Sequence, residues 1–491
     1  MRTALLKNFS FLTISNLLMP IASMALVVAI SRFGGVEMLG EYSFLLTFFF
    51  IGQTCATAGL HIIVTRDVAR ERAAAGAYFA SACWIGMAAA AVLSLILLPI
   101  FMWSVPSTAT RIGLLLTAAA LFPTVVITFG ESVLLAFERA FDFVVIELIE
   151  VAVRATIAAA MVVAGFGIVA VSATILACRI ATAVGITLAV RRYAVPMTFG
   201  INRERLGELA AQVPIVGAIP IVNALYWRAD TLLLTWLRGL ADVGFYGAAT
   251  RILDVTRSFP QAYARALYPQ LARLHQEDRE EFRLLCRQSL TWVVAGTIPL
   301  ALIISGLADI IITSLYGSAV APAGQALAVM AWVMIPYTLT NTLAQILFAS
   351  GNQAFDLKVN LIATLTSVIF NVALIPYFGF VGAAVASLGT MILHVSLQYR
   401  FVRRHVHDPG MAPTFIRLGI GACAGAAALL ILRPWSPTIA AAVALATYGV
   451  ALGMTGILTR AHVLRISGEV ARRVRRAPAL SPTTPIRKEP A

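Results

Sequence analysis

Fourteen apolar stretches, each long enough to cross a membrane, fill almost the whole 491-residue chain and leave only short polar connectors between them. They lie near 8–31, 41–64, 78–104, 112–137, 141–165 and 167–190, then 209–237, 244–270, 288–315, 324–349, 355–377 and 379–401, with a last pair near 414–433 and 437–460. About 20 apolar residues span a hydrocarbon core of ~30 Å. No connector can house a soluble domain. Hydrophobic residues make up 60% of the chain and charged residues 12%, against roughly 25% charged in soluble domains. The fold class expected is therefore an all-α polytopic membrane protein of about 14 transmembrane helices.

The net charge of +14 would point to nucleic acid in a soluble chain. Here the location of the basic residues matters more than their sum. With a cytoplasmic amino terminus, 27 of the 37 Lys and Arg fall on the cytoplasmic side, 4 (Arg32, Arg111, Arg238, Arg433) on the other, and 6 inside spans. That asymmetry predicts both termini in the cytoplasm and no nucleic-acid partner. Met1 to Ile30 has a basic start and an apolar run, and reads as an uncleaved first span rather than a signal peptide. The five cysteines show no metal-ligand spacing, so neither disulfides nor structural zinc is expected. The chain has no G-x-x-x-x-G-K-[ST], H-E-x-x-H or nucleophile elbow. ATP hydrolysis is excluded, and the chain is not expected to be an enzyme.

The longest polar gap inside the bundle, Arg191 to Glu208, divides twelve spans into six and six. Gly-x-Tyr recurs at Gly40 and Gly244, and Phe-Gly-x-Val recurs near Gly165 and Gly379. This suggests duplication into parallel halves, since each half has an even number of spans, with a substrate cleft between them. The organisation expected is 1–200 and 201–405 as the two halves, 406–462 as an appended helix pair, and 463–491 as a basic, Pro- and Ser-rich cytoplasmic tail that cannot build a core. Its basic cluster would meet anionic membrane lipids.

Charges inside spans carry the functional signal, because an Arg at mid-helix costs about 2.5–3.5 kcal/mol to insert. Arg228 and Arg265 lie near helix ends, where they could snorkel to the headgroups. The deep candidates are Arg154, Arg179, Arg251 and Arg257. In the eighth span Arg251, Asp254, Arg257, Gln261 and Arg265 share one face, and in the fifth Glu147, Glu150 and Arg154 do the same. Two helices from opposite halves, each with one charged stripe, imply a shared aqueous cavity. The competing reading is internal pairing of Glu150 with Arg154, and of Asp254 with Arg251 or Arg257. His61 and His394 are the buried-span histidines that could relay protons. Pro214 and Pro220 make the seventh span the one expected to bend.

The segment Asn371 to Ser387, NVALIPYFGFVGAAVAS, resembles the N-x-x-L-I-P-x-x-G-x-x-G-A-A-x-A signature of polysaccharide exporters in the multidrug, oligosaccharidyl-lipid and polysaccharide exporter superfamily. Ala229 to Ile252 and Phe33 to Phe49 resemble further parts of that family. Physically the motif is for packing: Pro376 ends a helix, Gly379 and Gly382 permit a tight turn, and the alanines allow close approach. The resemblance implies a MATE-like architecture and a flippase for undecaprenyl-pyrophosphate-linked oligosaccharide in the bacterial inner membrane. It also implies polysaccharide polymerase and other biosynthetic proteins as partners, and no cofactor beyond a possible coupling cation or proton. Within it, Arg154, Arg179, Arg251 and Arg257 are the headgroup contacts expected, and Glu150 and Asp254 the positioning or ion-coupling groups. A lipid II flippase also has fourteen spans, whereas a drug/cation antiporter of the same superfamily has twelve and prefers acids to arginines. A membrane glycan polymerase or ligase would need a larger outer loop than any connector here.

Overall fold

The computed structural model describes residues 23–105, 107–193 and 203–456. Every regular element among them is a helix, as a bilayer requires, because a helix satisfies its own backbone polar groups where no water can. In chain order these are α1 (23–34, ending in a π-turn at Ile30–Gly34), α2 (Gly35–Thr57), α3 (Leu60–Arg70), α4 (Ala75–Trp103), α5 (Thr108–Ala119), α6 (Leu121–Ala136), α7 (Ala140–Val163) and α8 (Ile168–Tyr193). They continue as α9 (Arg203–Arg238), α10 (Leu240–Glu277), α11 (Arg279–Gly306), α12 (Ala308–Tyr316), α13 (Ala323–Ala349), α14 (Gln353–Phe401), α15 (Ala412–Leu432) and α16 (Pro437–Met454).

Nine helices among the described residues are long and apolar enough to cross a membrane, ten if the bent pair Arg203–Pro214 and Val216–Arg238 is one span. The expected count of fourteen is not recovered on that measure, for physical reasons. Charged side chains interrupt α7 and α10. Expected neighbours also adjoin without an intervening loop: 355–377 and 379–401 are the two parts of α14, broken at Gly379, and the end of the first span meets α2 at Gly35, φ 80°, within Ser23–Thr57. The 54° bend in α9 falls at Pro214, where the ring removes one helical hydrogen bond and crowds the preceding turn.

The chain divides into two compact units, Met1–Pro409 and Gly410–Ala491. Both halves of the expected duplication fall in the first. Its helices form two groups, α2 to α8 and α9 to α14, joined chiefly where α2 lies against α9 and α10. In the second unit α15 and α16 pack on each other, with Gly421 against the Tyr448 ring. The expected tail from residue 463, and most of the first span, lie outside the described residues.

The three signature-like segments turn out to be neighbours. A Cβ at Gly40 of α2 would collide with the Leu240 carbonyl, and one at Gly244 of α10 with the Val36 carbonyl, so only glycines let these two backbones touch. Gly379 interrupts α14 at φ 55°, ψ −135°, and it sits against the Asp242 carboxylate and the Arg238 guanidinium, which form an ion pair of 3.8 Å. Arg32 donates to the Leu315 carbonyl (2.9 Å) and to that of Ser314 at this same end of the bundle. The junction therefore ties the two groups together at the sparsely basic end, and the motif is scaffold, not site.

Candidate functional site

The geometry of the site begins with α9, which reaches into both helix groups. Three spaces surround it: a cavity of about 330 Å³ among α9, α10, α13 and α14, one of about 240 Å³ among α2, α7, α8, α9 and α10, and a neck of about 30 Å³. Arg228 lines all three. The expectation that Arg228 snorkels is corrected by its position. Ten residues before the end of α9, it sits roughly 15 Å below the helix terminus at 1.5 Å per residue, too deep for its head to reach the headgroups. Its guanidinium lies over the Phe50 ring, 4.7 Å from the centroid. Arg265, by contrast, is exposed.

The smaller cavity is cationic. Arg154 from α7, Arg179 from α8, Arg228 from α9 and Arg251 from α10 line it, and among the described residues no carboxylate does. Glu150 stands behind this wall, 1% exposed, at 2.8 Å from Arg154 Nε and 3.9 Å from Arg179 Nε. One buried carboxylate thus faces two buried guanidiniums. Nε of Arg179 and of Arg228 find no hydrogen-bond partner among the described residues. A buried donor without an acceptor is costly, and several such donors around one space define a site complementary to an anion.

The larger cavity is different in kind. Its charges are balanced, Arg228 and Arg257 against Asp230 and Asp254, and aromatic rings dominate its wall. Trp227 meets Tyr226 at 5.3 Å and Tyr337 at 5.8 Å, both edge to face, and Arg257 lies 5.0 Å from the Trp227 centroid and 5.3 Å from that of Tyr337. Asp230 accepts from the Tyr246 hydroxyl and from the Thr231 backbone at 2.7 Å, and Tyr246 in turn meets Ser387 at 3.1 Å. Gln261 donates to the Tyr337 hydroxyl at 2.6 Å. Polar groups set among flat apolar rings suit a sugar, which presents hydroxyls at its edge and C–H groups on its faces.

The six residues singled out from the sequence are thus distributed unequally. Arg154, Arg179 and Arg251 converge on one cavity, while Arg257 and Asp254 line the other. Glu150 lines neither. The pairings weighed against a site do form: Arg154 with Glu150, and Asp254 with Arg257 at 3.1 Å and Arg251 at 3.8 Å. Asp254 is about one-third exposed, so water screens those contacts. Sequence reasoning missed the aromatic trio and Arg228. For Arg228, counting residues from the span end would have sufficed.

With this geometry in hand, comparison with known proteins is informative. The sequence model of the family described as polysaccharide biosynthesis protein matches residues 5–275, more than half of the chain, and that of lipid II flippase MurJ matches residues 258–449. A probable flippase, AglR, of Haloferax volcanii is 30% identical over 188 residues, 37% of this chain and 39% of the relative. The probable low-salt glycan biosynthesis flippase Agl15 of the same organism is 26% identical over 167 residues, 34% of this chain and 35% of the relative. The matched stretches thus span little more than a third of these relatives. Among solved structures, lipid II flippase MurJ in an inward closed conformation superposes with a TM-score of 0.73 at 14% identity, over 95% of this chain and 100% of that one. An inward-facing multidrug resistance MATE family transporter of the MOP superfamily gives 0.62 at 14% identity, over 82% and 99%. At such identity these two likenesses speak to the fold.

Proposed function

The chain belongs to the polysaccharide biosynthesis protein family, and from that premise we propose that it is a flippase that moves an undecaprenyl-pyrophosphate-linked oligosaccharide from the cytoplasmic to the outer leaflet of a bacterial inner membrane. The observation that carries this reading is the pair of adjoining cavities joined at Arg228, one lined by four guanidiniums and the other largely by aromatic and hydroxyl side chains. A diphosphate satisfies the unpartnered guanidinium donors, since each planar fork gives two parallel charge-assisted bonds. The first sugars then occupy the aromatic cavity, whose volume sits at the lower end of the ~300–1,000 Å³ range of ligand sites. The polyprenyl tail stays in lipid.

Flipping needs the cavity to be exposed to one side at a time. The close α2–α10 contact at Gly40 and Gly244 lies at the sparsely basic end; on this reading that end is the outer one, and substrate enters from the opposite, cytoplasmic end. A coupling cation or proton would act at Asp254 or Glu150, each set against two arginines. The glycosyltransferases and polymerase that build and extend the glycan are the protein partners this role implies.

A lipid II flippase is the second reading, favoured by the match of the MurJ model to residues 258–449. Both cargoes are polyprenyl diphosphates, and the site is built for what they share. Depletion of the protein in its own cell separates them. Accumulation of a diphosphate-linked repeat unit in the inner leaflet, with peptidoglycan synthesis unaffected, is the expected result. Accumulation of lipid II assigns the other cargo, and no lipid-linked saccharide at all overturns the flippase reading.

A further inference from the structure

α14 holds a group of buried polar atoms that neither cavity uses. Thr390, His394 and Gln398 follow one another at i, i+4 and i+8 along its second part, which puts them on one face about one helical turn apart. Each is at most 2% exposed. Thr390 Oγ1, both ring nitrogens of His394 and Gln398 Oε1 find no hydrogen-bond partner among the described residues, and neither does Oδ1 of the fully buried Asn371 on the first part of the same helix. Native interiors rarely leave one such atom unsatisfied; here five lie along a single helical hairpin.

The row of polar groups has two defined ends. Thr390 lines the larger cavity, beside Ser387 and Ser367. At the other end Gln398 Nε2 donates to Asp356 Oδ1 at 2.6 Å, and Asn360 Nδ2 donates to Asp356 Oδ2 at 3.1 Å. Asp356 lies in the first turn of α14, at the basic end of the bundle. We propose that this row is a water-mediated proton path between the larger cavity and that end, with His394 as the group that passes the proton. Its orphaned atoms are the acceptors and donors that buried waters bridge.

The chemistry favours a proton over a metal cation. A hard cation needs several oxygens around one point, whereas this row offers one carboxylate at an end and an imidazole midway. A proton arriving from the cavity binds the free ring nitrogen of His394. The opposite nitrogen releases its proton through water toward Gln398 and the Asp356 carboxylate, and the ring resets by tautomer exchange, so one proton enters and one leaves. The titratable and charged groups facing this path are Tyr226 of α9, with ring centroid 6.1 Å from the imidazole, Asp356 of α14, and on the cavity wall Arg228 and Asp230 of α9 and Tyr246, Asp254 and Arg257 of α10. From α13 the wall receives the hydroxyl of Tyr337. A proton taken up in the cavity when it opens outward can therefore leave to the cytoplasm while the cavity stays closed on that side, which couples the return step to the proton gradient.

The test uses the full chain in liposomes containing a pH-sensitive dye, with a potassium diffusion potential, interior negative. The wild type should acidify the interior roughly tenfold faster than His394→Leu, and replacing external sodium by choline should leave the rate unchanged. His394→Gln keeps size and hydrogen bonding but cannot titrate; it should be as slow as His394→Leu while eluting as monodisperse as the wild type. Wild-type acidification no faster than in empty liposomes, or full conduction by His394→Gln, overturns the proposal, and a rate that needs sodium reassigns the path to that ion. No glycan is present in the assay, so this outcome is independent of the substrate assignment.

Discussion

The two cavities adjoin and share Arg228, yet they solve opposite electrostatic problems. Around the smaller one stand four guanidiniums, two of them facing a single buried carboxylate, Glu150, behind the wall and a third, Arg251, reaching Asp254 at 3.8 Å. Around the larger one, two acids offset two arginines and much of the remaining surface is rings and hydroxyls. Buried charges of one sign left in excess are costly in a membrane protein, so the first cavity is a site waiting for compensation and the second is already compensated. One is built to hold charge and the other to hold shape.

The sharpest way to break that contrast is to remove charge from the first cavity. Arg179 should matter more than Arg154, because its Nε is unpartnered while Nε of Arg154 is engaged with Glu150 at 2.8 Å. Arg179→Ala removes a charge-assisted contact worth about 1.5–3 kcal/mol, or roughly 10- to 150-fold in transport, with Lys restoring part of it as charge without the fork. Arg154→Ala should instead lower abundance, since it strands Glu150. Glycan export and the amount of inserted protein, measured together, separate the two. Equal loss of abundance in both variants makes the cluster structural.

The second cavity is probed through its rings. Trp227→Ala takes away the face on which Arg257 rests and the contact with Tyr337, and should raise the substrate concentration for half-maximal transport by roughly 2- to 13-fold, at about 0.5–1.5 kcal/mol for an aromatic contact, without changing the maximal rate. A Trp227→Phe variant should lose less. A fall in maximal rate with unchanged half-saturation would instead place Trp227 in the moving parts, and the division of labour between the cavities would be wrong.

What could be read from the sequence follows the same division. Charged stripes on α7 and α10 are periodic, so Arg154, Arg251, Arg257, Glu150 and Asp254 stand out against their apolar helices by spacing alone. Trp227, Tyr226 and Tyr337 do not, because an aromatic ring in a span reads equally as core, lipid-facing surface or site, and only the packing of α9 against α13 and α14 decides. The signature-like segments announce the scaffold accurately, since glycine at Gly40 and Gly244 answers to backbone contact and at Gly379 to a positive φ beside the Asp242 carboxylate. The turn within α14 is legible for a related reason: Pro376 and Gly379 mark it in sequence, and the backbone breaks at Gly379 so that Gln398 returns to Asp356.

The smallest effect concerns titration, and it too should divide the halves. His275, His394, His405 and His407 all belong to the second helix group, against His61 alone among the described residues of the first. Outside the spans, the His275 and His407 rings flank Phe282 at 4.9 and 5.5 Å. Burial, with Arg279 beside His275 and Arg283 beside His407, holds both below the ordinary imidazole value of 6.5, Asp408 opposing it only in part. A histidine depressed in the folded state is bound there neutral, so the unfolded chain takes up more protons as pH falls. The contribution is intact above pH 6.5 and is lost as pH drops from there through the folded values. Hydrogen-exchange protection at the α10–α11 junction, taken relative to the intrinsic rate at each pH, should therefore fall on acidification, while that of the α3–α4 connector holds steady. His407→Phe, which keeps the ring contact with Phe282 but cannot charge, should flatten the response by roughly half. Equal acid sensitivity at both connectors would show that the halves, unlike their cavities, do not differ in titration.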